Sequence, residues 1–229
     1  MAIQVISNPE PNFIPPQILF KETITQKVQS VVGKFLAQSG GRGQYGHVVI
    51  DVEPIEAGKG IVFRENIKGE AVPKKFIKSV EEGIRVQALN GILAGYPVTD
   101  ILITLVDGSS HDVDSSEMAF QLAAKNALRE ALLKGKSTLL EPIMNCQVNA
   151  PDEFFGAVIG DLTTRRSMII SLESAKDRRT VDCRVPLIEM ADYARILHVL
   201  SKGQASFSIE PGHYAPMPWE IAKRIIENQ

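Results

Sequence analysis

Gly41-Arg42-Gly43-Gln44-Tyr45-Gly46 has the spacing G-x-G-x-x-G. In a dinucleotide site those glycines let a backbone turn approach a pyrophosphate seated on a helix N-terminus. That chemistry needs a strand before the glycines and a helix after them. Here the next residues alternate Val48, Ile50 and Val52 with His47, Asp51 and Glu53, the period-two pattern of a half-buried strand. With Val48 added the run is also G-x-G-x-x-G-x-V, the glycine loop of a protein kinase, but the chain has no V-A-I-K, H-R-D or D-F-G. The pattern leaves glycines that permit a hairpin turn with positive φ. Gly135-Lys136-Ser137 ends like a phosphate-binding loop, yet the earlier glycine that loop requires falls at Glu130, and the motif follows a helical pattern instead of opening one.

His111, Asp112, Asp114 and Glu117 are metal-donor types gathered within seven positions. Asp114 with Glu117 three residues on, however, is the capping-box spacing of a helix start, and adjacent His111 and Asp112 would have to turn sharply to share an ion. No metal site is expected. His47, His198 and His213 are isolated, and no Ser–His–Asp or Cys–His arrangement can be drawn, so no residue is assigned a catalytic role. Cys146 and Cys183 each lie in an alternating apolar run, which places them as small buried hydrophobes in a reducing compartment. What remains is a short polar loop, residues 107–113, held between a strand and a capped helix, where function tends to sit.

The elements around these motifs divide into two groups. Residues 1–16, with four prolines, read as a tail or linker. Strands are expected at 18–23, 28–36, 47–53, 61–66 and 98–106, with a helix opening at Pro73 and ending near Gly91 and another from Asp114 to about Gly135. Glu141-Pro142 reads as the boundary. Beyond it the pattern gives strand 143–149, helix 152–163, strands 167–173 and 179–185, helix 187–200 and strand 204–210. That order is βαββαβ, the ferredoxin-like plan, with a short helix after Pro218. The fold class expected is α+β.

Composition limits the function classes. The 229 residues are 44% hydrophobic and 23% charged, and their formal net charge of −2 provides no global field for nucleic acid. A basic patch would have to be local, and Lys176, Arg178 and Arg179 form one such cluster, with a solvated hairpin turn as the plain alternative. No apolar run reaches the ~18 residues of a membrane span, and no basic-then-hydrophobic leader opens the sequence.

Several contiguous stretches resemble one family. Ser39-Gly40-Gly41-Arg42-Gly43-Gln44-Tyr45-Gly46-His47 is similar to the glycine-rich loop of domain IV of elongation factor G, a translational GTPase family. His111-Asp112-Val113-Asp114-Ser115-Ser116-Glu117 resembles its second tip loop. Leu93-Ala94-Gly95-Tyr96-Pro97-Val98, Leu140-Glu141-Pro142-Ile143-Met144 and Ile159-Gly160-Asp161-Leu162 match as well. The resemblance covers about residues 17–215. It implies an S5-like α+β domain IV at 17–142 and a ferredoxin-like domain V at 143–229.

The same resemblance implies a ribosome-binding, C-terminal part of a translation factor that promotes tRNA–mRNA translocation, with its tip loops in the decoding site. The matching tip residues are Gly40, Gly41, Arg42, Gly43, Gln44, Tyr45, Gly46, Ser109, Ser110, His111, Asp112, Val113 and Asp114. Arg165 and Arg166 fall where the family's domain V nears the large-subunit RNA at the stalk base and sarcin–ricin loop. Such a chain is expected to be monomeric, cytoplasmic and of bacterial or organellar type. GTP and magnesium are expected with the parent's GTPase domain and no cofactor here, the 229 residues being a C-terminal piece. Ser110 departs from the tyrosine many members carry there, and 56–60 is short. A ribosome-recycling or ribosome-protection paralogue shares the scaffold. A small-molecule kinase of similar fold would need a serine-rich phosphate loop before a helix, which Gly108-Ser109-Ser110 imitates only in part.

Overall fold

The structure is a computed structural model and describes residues 3–5, 18–39, 42–67, 69 and 71–228. In chain order its strands are β1 (Ile3–Val5), β2 (Lys21–Ile24), β3 (Val28–Ser39), β4 (Arg42–Pro54), β5 (Ile61–Glu65), β6 (Ile101–Ser109), β7 (Ser137–Pro151), β8 (Met168–Ala175), β9 (Arg178–Pro186) and β10 (Ser206–Pro216). The helices are α1 (Lys74–Ala88), α2 (Glu117–Lys134), α3 (Asp152–Thr164), α4 (Tyr193–Leu200) and α5 (Trp219–Glu227). Contacts divide the chain into Phe20–Leu140 with Pro216–Gln229, and Glu141–Ala215 with Met1–Leu19. The expected boundary at Glu141-Pro142 thus lies inside β7, and the helix after Pro218 groups with the first unit.

In the first unit β3, β4, β6 and β5 form a sheet in that order, antiparallel except for the β5–β6 pair. Alternation decides its faces. Val31 of β3, Val48, Ile50 and Val52 of β4, and Ile101, Ile103 and Leu105 of β6 turn inward. They meet Phe76, Val80 and Ile84 of α1 and Phe120, Ala123, Ala127 and Leu128 of α2. Each such fully buried aliphatic side chain contributes about 1.5–3 kcal/mol. The alanines let α2 lie close on the sheet: a Cβ on Gly33 would stand 2.1 Å from the Ala123 carbonyl oxygen.

β2 pairs with residues 137–140 of β7 and holds Glu22, which is 1% exposed. Its carboxylate accepts the backbone N–H groups of Ile92, Leu93, Ala94 and Tyr96 at 2.7–3.2 Å. The stretch after α1 is therefore folded around a buried anion, which satisfies donors that no helix or strand pairs.

The second unit has the expected βαββαβ order. Its strands run β1-β10-β7-β9-β8, with β7 and β8 each antiparallel to β9. Met144, Cys146 and Val148 of β7 and Val181, Cys183 and Val185 of β9 face Phe155, Val158 and Leu162 of α3 and Tyr193 and Leu197 of α4. Cys146 and Cys183 are buried free thiols directly opposite one another in the ladder.

Three expectations need correction. Ile3–Val5 is not tail but a strand paired to Phe207–Ile209 of β10; after it the described residues resume only at Ile18. The helix expected at 187–200 is a 3-10 turn, Leu187–Met190, followed by α4. At the break the Glu189 carbonyl and the Asp192 carboxylate are both taken by Arg165. Finally, α2 starts at Glu117 and its cap is Ser116, whose hydroxyl accepts the Ala119 N–H at 3.2 Å. Asp114 does not cap it, because that residue is bound to β4.

Candidate RNA-contacting tip

β3 and β4 form a long hairpin whose last described pair is Ser39 with Arg42, so Gly40 and Gly41 of the candidate set lie outside the described residues. Arg42, Gly43, Gln44, Tyr45 and Gly46 belong to β4 itself and not to a loop. Neither Gly43 nor Gly46 has a positive φ, so the turn reading fails for both. What they supply is space. A Cβ on Gly43 would lie 2.8 Å from the Asp114 carboxyl carbon, and one on Gly46 would lie 2.3 Å from the Ala119 carbonyl oxygen.

β6 carries the second segment as far as Ser109, opposite His47 in the ladder. Ser110, His111, Asp112, Val113 and Asp114 then turn back to Ser115, which bridges to Tyr45 in parallel register. The Tyr45 N–H donates to the Asp114 carbonyl at 2.8 Å, and the Ser115 N–H to the His111 carbonyl at 3.1 Å. The Ser115 hydroxyl accepts the His111 N–H at 2.9 Å and donates to the Tyr45 carbonyl at 3.1 Å.

The side chains are tied in the same way. The Ser109 hydroxyl stands 2.6 Å from the Tyr45 hydroxyl and 2.8 Å from Nδ1 of His47. The His111 ring meets Tyr45 edge-on, centroids 4.2 Å apart. Burial, and then the nearby Lys34 ammonium, lower the His47 pKa, so the imidazole is neutral at pH 7. His111, Asp112 and Val113 are exposed beyond this framework, Val113 at 80%. Beside them Leu36, Ala37, Gly43, Gln44, Tyr45, His111 and Asp114 line an open hollow of about 570 Å³.

This arrangement brings the two candidate segments together as one surface of backbone edges, an imidazole, a phenol ring and a carboxylate. Ser109 and His47 do place a hydroxyl beside an imidazole, but that hydroxyl is shared with Tyr45, and among the described residues no carboxylate is hydrogen-bonded to the ring to orient it as a base. Among the described residues no group of three or more His, Cys, Asp or Glu side chains is placed to hold a metal ion. Sequence reasoning missed Ser115: its type and its place beside a cap residue carry a signal, but not which of the two serines caps the helix.

The arginines of the second unit are placed differently. Arg165 donates to Asp161 at 2.7 Å, to the Glu189 carbonyl and to Asp192 at 2.7 Å, and its side chain is 11% exposed. Arg166 donates to both oxygens of Glu141 and to Glu189. In the expected basic cluster, Arg178 donates to Asn149 and to the Gln204 carbonyl, and Arg179 pairs with Asp152 over the Phe155 ring. These guanidinium groups each have acidic or carbonyl partners within their own unit.

An α+β chain with a hairpin-and-loop tip followed by a ferredoxin-like unit is the class of molecule these features define. Residues 16–136 match the family model "Elongation factor G, domain IV" and residues 138–225 match "Elongation factor G C-terminus". The chain belongs to the elongation factor G family. It is 46% identical over 217 residues to elongation factor G of Aquifex pyrophilus, covering 95% of this chain and 31% of that protein. A crystal structure from Thermus thermophilus matches with a TM-score of 0.85 at 37% identity, over 95% of this chain and 32% of that one. The chain thus spans about a third of the length of these relatives. The matched regions are domain IV and the C-terminal part of the family and not its GTPase domain. Among the described residues no helix is long and apolar enough to cross a membrane.

Proposed function

We propose that these residues are the ribosome-inserting part of a translation elongation factor that promotes tRNA–mRNA translocation, with the stitched tip entering the decoding site. The observation that supports this reading is the joining of two segments, distant in sequence, into one exposed surface of fixed shape. A tip that acts by occupying space and hydrogen-bonding next to RNA needs such a fixed shape. RNA helices expose 2′-hydroxyls and backbone across a shallow groove, which favours recognition by shape and polar contact over sequence reading. Gln44, Tyr45 and His111 supply donors and a ring face, while Arg42 is the first residue of β4.

In this proposal the second unit lies by the large-subunit RNA near the stalk base and sarcin–ricin loop. Arg165 and Arg166, in the turn after α3, are its candidate contacts with that RNA, and their ion pairs hold the turn in place. GTP and magnesium belong to the GTPase domain of the parent protein, the cell compartment is the bacterial-type cytoplasm, and the chain acts as a monomer.

The test is chemical probing of ribosomes programmed with messenger and transfer RNA, with and without the chain. The expected result is protection of decoding-site nucleotides, with binding that weakens as salt is raised, since phosphate contacts release counterions. Unchanged reactivity at saturating chain and low salt would overturn the proposal.

A further inference from the structure

We infer that Ser115 is a positioning residue that locks the glycine-rich hairpin and the His111 segment at one spacing, so that both meet RNA as a single surface. The inference deepens the function proposed above and rests on it. Ser115 is half-buried behind the tip, whereas His111 is exposed at its front. One hydroxyl joins the two segments: it accepts from the His111 N–H and donates to the Tyr45 carbonyl, while the adjacent Asp114 carbonyl takes the Tyr45 N–H. Both backbone groups of Tyr45 are therefore committed to residues 114–115. The Tyr45 ring in turn backs the His111 imidazole at 4.2 Å. Any change in the hairpin-to-loop spacing moves His111 relative to Gln44 and Gly43.

The neighbouring Ser116 supplies an internal comparison. It is the same residue type, one position away, but its hydroxyl is spent on capping α2 through the Ala119 N–H and not on a tie to β4. Loss of a cap acts on stability. Loss of a cross-tie between two exposed segments acts on their local opening, because each segment remains anchored by its own strand or helix.

The experiment compares Ser115→Ala, Ser115→Thr and Ser116→Ala in the full 229-residue chain, by thermal melting, amide hydrogen exchange and protection of decoding-site RNA. Ser115→Ala is expected to leave the melting temperature nearly unchanged, to speed exchange of the His111 amide about tenfold and to weaken RNA protection about tenfold. Ser115→Thr, which keeps the hydroxyl, restores both. Ser116→Ala lowers the melting temperature without that selective effect at His111. Wild-type exchange and protection in Ser115→Ala would overturn the inference, as would its failure to fold, which would make Ser115 a residue of stability. If the wild-type chain gives no protection at all, the functional proposal fails and takes the RNA half of this inference with it, while the exchange data still decide whether Ser115 couples the segments.

Discussion

Arg166 and Glu141 face each other through two parallel hydrogen bonds, Nη1 to Oε1 at 2.7 Å and Nη2 to Oε2 at 2.9 Å, with the Glu141 side chain only 3% exposed. Arg166 holds this position from a left-handed backbone, φ 56°, and spends its Nε on Glu189 at 2.8 Å. Arg166→Ala leaves a buried carboxylate without its counter-charge, which costs about 3 kcal/mol. Lysine restores only part of this, because a point charge cannot reproduce the two-pronged geometry. Urea denaturation of the chain measures both. Wild-type stability in the alanine variant would show the pair to be dispensable.

That pair also marks the limit of what the sequence conveyed. Strong period-two runs such as Met144, Cys146, Val148 and Val181, Cys183, Val185 reveal the βαββαβ order, because burial on one sheet face imposes the alternation directly. Apart from Asp161, four positions before Arg165, the partners of Arg165 and Arg166 lie on other elements up to 27 positions away, and no local pattern connects them. The glycine motif misleads for a related reason. Its spacing is visible, but the cause of Gly43 and Gly46 is the presence of Asp114 and Ala119 against them, which only packing reveals. The individual tip residues are named through family resemblance, whereas the flanking strand and helix mark only the loop 107–113. Which of Ser115 and Ser116 caps α2 depends on where Asp114 is bound, a tertiary fact.

Glu22 gives the largest expected loss in the first unit. Its carboxylate gathers four amides of residues 92–96 at 2.7–3.2 Å, and the space over Gly91 is filled by the same group. Glu22→Ala orphans those donors and opens a void, a cost of more than about 3 kcal/mol. Glu22→Gln retains one acceptor oxygen and falls between. Denaturant midpoints rank the three proteins, and equal midpoints would show that water replaces the carboxylate without loss.

His47 links the tip framework to pH. Its folded pKa lies below the ordinary value of 6.5, first through burial and then through Lys34, against the smaller opposing effect of Asp107. A depressed folded pKa means that the unfolded chain binds the proton more tightly. The stabilising effect of a neutral His47 is therefore present above pH 6.5 and is lost as pH falls through the folded pKa. Urea midpoints of wild type and His47→Gln, compared between about pH 8 and pH 5, should converge as the pH falls through this window. A difference that stays constant across it would remove His47 as the titrating group.

His111 separates shape from stability. It is exposed, caps nothing and is held through its backbone by Ser115, its ring resting on the edge of Tyr45. His111→Ala should cost no more than about 1 kcal/mol, the scale of one aromatic edge contact at an exposed site. α2 survives because its cap is Ser116. If the tip works next to RNA as proposed, the same change in a full-length elongation factor G carrying this tip slows translocation or loosens reading-frame control. It leaves ribosome-stimulated GTP hydrolysis nearly intact, since no proton transfer or bond cleavage passes through the imidazole. Rapid-kinetics measurement of both steps on one preparation distinguishes the outcomes. Wild-type translocation and frame fidelity would make His111 a filler of the loop, and a matched loss of both activities would trace the defect to misfolding, which the denaturation curve of the same variant would then have to show.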